Sequence, residues 1–200
     1  MKTSSDPRHL RREKIVQELF AWGEQQKLKS HPDDSQIADK AEWDEKTNAI
    51  IKIHSDIDEI ITQCAPDWTI EKTNEIDLAI LRLAVYELAF EAIEPAKAII
   101  DEAVEIAKEF GTDNSASFVN GALGKCLTCK KRILKLIANR TGVEDVKLEE
   151  TTELTELNLS DLELNDMLVI LEKELQTTFP SKSDLKTVGD IVATVEDNEV

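Results

Sequence analysis

Arg8, Arg11, Arg12 and Lys14 fall within seven residues near the start of the chain, with Glu13 the only acid among them. On a helix, two of these arginines share a face and the third sits beside it. Such a surface can neutralise phosphates. A second basic stretch, Lys125, Lys130, Lys131, Arg132, Lys135 and Arg140, has no acid inside it. Cys126-Leu-Thr-Cys129 has the spacing used by metal sites and redox dithiols. A structural zinc wants four ligands, however. Cys64 is distant in sequence, and His9, His31 and His54 are scattered, so helix packing is the reading for the pair. Ser160-Asp-Leu-Glu163 is a capping box. There is no Gly-rich phosphate loop, no Gly-x-Ser-x-Gly and no His-Glu-x-x-His. The many carboxylates read as surface charge. No catalytic constellation, metal site or cofactor site is expected, and the chain is not expected to be an enzyme.

The elements that must position these residues read as helices. The 200 residues are 41% hydrophobic and 32% charged, enough to bury a core. Only 6 Gly, 5 Pro and 4% aromatics argue against stacked sheets and for packed helices. Asp6-Pro7 caps a helix to about residue 27, with Ile15, Leu19 and Trp22 on its stripe. Further helices are expected over about 43–63, 74–90, 95–110, 115–128 and 130–141. Gly111 stops the one over 95–110. An acidic loop leads to a helix behind Ser160, and a short helix opens near Thr187. Tyr86 and Trp22 read as core aromatics, and Gly121 as a site of close helix packing. No run of 18 apolar residues suggests a membrane span, and the N-terminus has no apolar signal region. Three cysteines fit a reducing, cytoplasmic compartment.

Charge divides the chain. The formal net charge is −17. Residues 1–141 hold 20 Lys+Arg against 25 Asp+Glu, and residues 142–200 hold 4 against 16. A chain this acidic repels nucleic acid at long range, so any contact must be local. The asymmetry suggests two modules, here 1–128 and 129–200.

Pro95-Ala-Lys-Ala-Ile-Ile-Asp-Glu-Ala-Val-Glu-Ile-Ala-Lys-Glu-Phe-Gly111 resembles the signature helix of the NusB family of transcription antitermination factors. Ile80-Leu-Arg-Leu-Ala-Val-Tyr-Glu-Leu88, Phe118-Val-Asn-Gly-Ala-Leu123 and the arginine-rich first helix are similar in the same order. The resemblance covers about residues 8–128. It implies an all-α RNA-binding module that grips boxA-type ribosomal leader RNA with the ribosomal protein NusE, within an RNA polymerase antitermination complex. Carried over by position, Arg8, Arg11, Arg12, Lys14, Asn114 and Phe118 become the RNA-binding candidates. Ser117 stands where the family carries a cation. Glu71 and Asp77 match acidic positions on the NusE-facing surface.

Residues from about 130 to 197 resemble a four-helix acyl carrier domain. The resemblance rests on Lys131 to Val143, Leu162 to Leu175, Phe179-Pro180 and Thr187 to Val192. In carriers, the serine of Asp-Ser-Leu takes phosphopantetheine. Here Ser160-Asp161-Leu162 puts Asp161 at that position, and a carboxylate cannot be loaded. The resemblance therefore implies a non-carrying acidic docking module presenting Glu163, Asp166, Glu172 and Glu174, and one that could fold over Arg8 to Lys14. The alternatives are a carrier modified at Ser160 and a ribosome-assembly RNA adaptor.

Overall fold

The computed structural model describes residues 6–29, 43–65, 69–143, 148–175, 177–181 and 184–197. Nine α-helices occur among them. In the first part of the chain these are α1 (Pro7–Lys29), α2 (Glu45–Lys52), α3 (His54–Cys64), α4 (Glu75–Tyr86), α5 (Ala96–Phe110) and α6 (Ser115–Cys126). They are followed by α7 (Lys130–Thr141), α8 (Asp161–Leu175) and α9 (Val188–Asp197). The one β-type pairing among the described residues is an isolated antiparallel bridge between Glu153 and Thr187. No described helix is long and apolar enough to cross a membrane.

Helix α4 is central because it has no polar face. Every residue from Asp77 to Val85 is buried, the pattern of a helix surrounded by others. Helix α1 lays Ile15, Val16 and Leu19 against it, and α3, α5 and α6 complete the shell. Arg82 tolerates burial there because Asp58 accepts two hydrogen bonds from its guanidinium, each 2.8 Å, and Trp22 lies beneath it at 5.1 Å.

The expected single helix over 43–63 is two. The backbone turns at Ile53 (φ −117°, ψ 21°), and His54 Nδ1 donates to the Ile51 carbonyl at 2.8 Å. The fourth helix also changes character. Beyond Tyr86 it widens into a π-helical turn, Glu87–Glu91, closed by Ala92 N–H to Glu87 O at 2.9 Å. It ends with Ala92 in the left-handed region at φ 48°. Asn139 of α7 uses the displaced backbone, donating to Ala89 O at 2.9 Å. Gly111 does end α5, but in extended backbone rather than a left-handed cap. Its value is space: a Cβ there would meet Ser115 Cβ at 2.3 Å. Gly121 does the reverse of what was expected, since a Cβ there would meet nothing within 4 Å.

A second hydrophobic cluster joins Ile133, Leu136 and Ile137 of α7 to Leu164, Leu168 and Leu171 of α8 and to Val188, Ile191 and Val192 of α9. Its described elements are three α-helices and a 3-10 turn, Leu154–Leu157. A short break at residues 127–129, not a continuous helix, separates α6 from α7. Ser160 carries the capping box: its N–H donates to Glu163 Oε2 at 2.8 Å, and its Oγ to the same oxygen at 2.6 Å. Glu163 N–H donates back to Ser160 Oγ at 3.3 Å. Ser160→Ala should therefore cost about 1 kcal/mol of stability in the C-terminal cluster, read by denaturant unfolding. A cost near zero would remove the cap.

Helix α1 is pinned to α5 by half-buried His9. Its Nδ1 lies 2.9 Å from Glu102 and its Nε2 2.9 Å from Glu13, with Glu109 at 3.9 Å. The hydrogen bond to Glu102 and the three carboxylates raise the His9 pKa above 6.5, against the opposing effect of burial. A raised folded pKa adds stability that is complete below the unfolded value and lost as pH rises through the folded one. The difference in Tm between the wild type and His9→Gln should be largest below about pH 6.5 and shrink toward pH 8.5. A difference that grows with pH would contradict this.

Candidate nucleic-acid interface

The early basic residues do not form one open face. Arg8 is exposed, 72% of its side chain accessible, and lies 3.6 Å from Asp6. Arg11 is also exposed and pairs with Asp44 at 2.9 Å; that bond holds the Asp44 carboxyl below the usual range. Lys14 is exposed and lies 3.4 Å from Glu18. Arg12 points inward, with 8% of its side chain accessible. Its Nε donates to Glu87 at 2.9 Å and its Nη2 lies 3.1 Å from Glu94. Burial works against that charge, yet the two glutamates outweigh it and raise the Arg12 pKa. Lys46 of α2 joins the cluster, 2.9 Å from Glu87 and 2.8 Å from Glu91. The expectation that Arg12 faces RNA is thus corrected. Residues 11 and 12 are neighbours in sequence but about 100° apart around the helix, so one faces solvent and the other the π-helical turn.

Described residues from α1, α2, α4 and the π-helical turn line a concavity of about 510 Å³. Arg8, Arg11, Arg12 and Lys46 share it with Glu45, Glu87, Glu91 and Glu94, so its charge is mixed.

Asn114 and Phe118 are elsewhere. With Cys64, Ala65, Ser117, Gly121, Ala122 and Lys125 they line a groove of about 420 Å³ between α3 and α6. None of these described residues is acidic. The groove offers a partly buried ring, an amide, a hydroxyl and one ammonium. Ser117 and Gly121 keep its wall low, which explains why Gly121 packs against nothing. Such a set suits a base stacked on Phe118 with a phosphate near Lys125. The sequence placed Phe118 and Asn114 together but left Lys125 in a separate basic stretch; it reaches the groove because it lies seven residues, two turns, beyond Phe118.

Asp77 is not on a partner-facing surface. It is 6% exposed, its Oδ1 has no hydrogen-bond partner, and burial pushes its pKa up, partly offset by a bond with Ser115. It follows Asn74, the N-cap of α4, by three residues, which turns it toward the start of α6. The backbone of Glu71 lies in a 3-10 turn, Ile70–Lys72; its side chain lies outside the described residues.

The acidic segment does not cover the early arginines among the described residues. The partners found for Arg8, Arg11, Arg12 and Lys14 all precede residue 95. The expected acidic face of α8 is also smaller than its sequence implies. Glu174 is buried, and Glu172 accepts from Phe179 N–H at 2.8 Å. What remains exposed is Glu163 and Asp166, beside Leu162 and Val169.

Comparison with known proteins gives a consistent picture for the first part of the chain. The NusB family model matches residues 9–128. The transcription antitermination protein NusB of Chloroflexus aggregans is 50% identical over 74 residues, 36% of this chain and 49% of that protein. The NusB protein of Agathobacter rectalis is 48% identical over 82 residues, 41% of this chain and 63% of that protein. The chain thus spans about half to two thirds of the length of these relatives. A solved T. maritima NusB structure is 33% identical, with a TM-score of 0.48, covering 63% of this chain and 92% of that one. With three fifths of its length matched by the family model, this chain belongs to the NusB family.

Proposed function

We propose that the chain is an RNA-binding antitermination factor whose α3–α6 groove receives unpaired bases of a boxA-type leader RNA, in company with NusE and the transcribing polymerase. The observation that carries this reading is the groove itself. In a chain of net charge −17, its described lining holds an aromatic ring and a lysine without a single carboxylate. Repulsion from the rest of the surface is screened beyond about 10 Å at moderate salt, so a local cationic site can still bind.

Exposed Arg8, Arg11 and Lys14 are assigned to phosphates. Their three-residue spacing keeps them on one side of α1, and each keeps more than half of its side chain open to solvent beside its acid partner. Arg12 is assigned to the fold. Residues 1–128 form the RNA-binding domain, and residues 129–200 form an acyl-carrier-like domain that is not loaded. Ser160 is occupied as a helix cap, which disfavours the carrier alternative.

The test is a binding titration with boxA-like single-stranded RNA, with and without NusE, at two salt concentrations. Phe118→Ala should weaken binding by about 5- to 150-fold, the value of one stacked base. Arg11→Gln and Lys125→Gln should each lower the salt slope by about 0.7, as for one lost phosphate contact on a single strand. Unchanged affinity in Phe118→Ala would remove the groove from the reading. A readthrough assay then separates antitermination from a ribosome-assembly role. Arg12→Ala should instead cost about 3–5 kcal/mol of stability, because Glu87 is left buried beside fewer cations, read by denaturant unfolding.

A further inference from the structure

Cys64, Cys126 and Cys129 come together where the first hydrophobic cluster meets α7. Cys126 ends α6, Cys129 is the N-cap of α7, and Cys64 ends α3. Cys64 and Cys126 are buried in that cluster and half-buried Cys129 packs against it, with its Sγ 3.3 Å from Oε1 of Gln63, the neighbour of Cys64. Beside them lies Arg132, fully buried, with Nη1 donating to Leu127 O at 2.7 Å and with Nε and Nη2 lacking any partner. A guanidinium stays charged in a protein, so a buried one with two idle donors needs a nearby anion. Against burial, the groups that favour its charged form are the sulfur of Cys126, Glu174 of α8 and the sulfurs of Cys64 and Cys129.

We propose that Cys129 and Cys64 form a peroxide-sensitive thiol pair, with Cys129 the attacking thiolate and Cys64 the resolving thiol. Three features converge on Cys129. It is the half-buried member of the three, so a small oxidant can reach it. As the N-cap it sits at the positive end of α7, with no capping hydrogen bond from its own side chain. The neighbouring Cys64 thiol and the positive end of α7 together lower its pKa to about 6, against the opposing effect of burial. The thiol form has one further contact to lose, a weak bond from Sγ to Gln63 Oε1 at 3.3 Å.

The chemistry balances. The Cys129 thiolate attacks a peroxide oxygen, the O–O bond breaks, and the departing hydroxide takes a proton to become water. Cys129 is oxidised to the sulfenic acid and the peroxide is reduced. The Cys64 sulfur then attacks Cys129 Sγ as its proton leaves. The S–S bond forms, the S–O bond breaks, and a second water departs. In the reduced state the neighbouring sulfurs and burial raise the pKa of Cys64 and hold it protonated. Converting Cys129 to a neutral sulfenic acid removes part of that restraint, which orders the steps. A cation is a poor fit at the same place, because Arg132 already supplies positive charge. The resulting bond would tie the end of α3 to the start of α7, in the wall of the groove that holds Phe118.

The test is hydrogen peroxide treatment of the full chain at pH 7, followed by alkylation and non-reducing peptide mapping. The expected product links Cys64 to Cys129 and leaves Cys126 alkylated. Cys126→Ser should form the same link. Cys64→Ser should stop at a Cys129 sulfenic acid that dimedone traps. Arg132→Met should slow alkylation of Cys129 at pH 7 about twofold, as for a rise of one unit from a pKa of about 6. If Arg132→Met does not fold, the pH dependence of wild-type alkylation serves instead, with a midpoint near 6 expected. Peroxide that leaves all three thiols free, a bond between Cys64 and Cys126, or a midpoint near the ordinary value of about 8.5 would overturn the proposal.

Discussion

The structure turns on one buried charge. Arg12 enters the interior from α1 and finds Glu87 and Glu94 there, while Lys46 bridges Glu87 and Glu91 from α2. Removing a guanidinium from water costs several kcal/mol unless its hydrogen bonds are replaced. The cluster therefore constrains three elements at once: the rotation of α1, the docking of α2, and the π-helical turn that carries Glu87 and Glu91. That turn is a consequence with further reach. Its widened backbone leaves the Ala89 carbonyl to accept from Asn139, so the same distortion that serves Arg12 also seats α7. The rotation of α1, once set, decides which basic residues meet solvent.

This is where function and stability part. Arg8, Arg11, Arg12 and Lys14 look equivalent as a string, because a charge run says nothing about what faces each member. Folding sorts them. Three remain outside, more than half exposed beside their acid partners, and one becomes part of the interior. The aromatic candidate lies in a different concavity, beside Lys125 and away from the glutamates. The proposed RNA face depends on that separation of local charge more than on the number of arginines.

Helical periodicity carried most of the fold: the stripes of α1, α4 and α5 were legible, as were the caps at Asp6 and Ser160. What periodicity could not show was any contact made across the chain. The break at Ile53 depends on a histidine bonding a backbone carbonyl, and the π-helical turn on carboxylates drawn to a distant cation. Asp77 reads as a surface acid because it sits at a polar helix start, yet α6 covers it. Cys64 reads as remote because 62 residues separate it from Cys126, while the packing of α3 on α6 erases that distance. Membership of the NusB family was visible in consecutive blocks of residues. The burial of individual side chains within those blocks was not.

The most direct measurement replaces Arg12 and Glu87 together with methionine and records both stability and affinity for boxA-like RNA. Swapping a buried pair for apolar side chains of similar size is often close to neutral for stability. On the present account the double variant stays folded and binds RNA within about twofold of the wild type, since neither residue touches RNA and a change under 0.5 kcal/mol lies within one contact's scatter. A folded double variant that loses tenfold or more in affinity, with a shallower salt slope, would return Arg12 to the RNA surface and contradict the account.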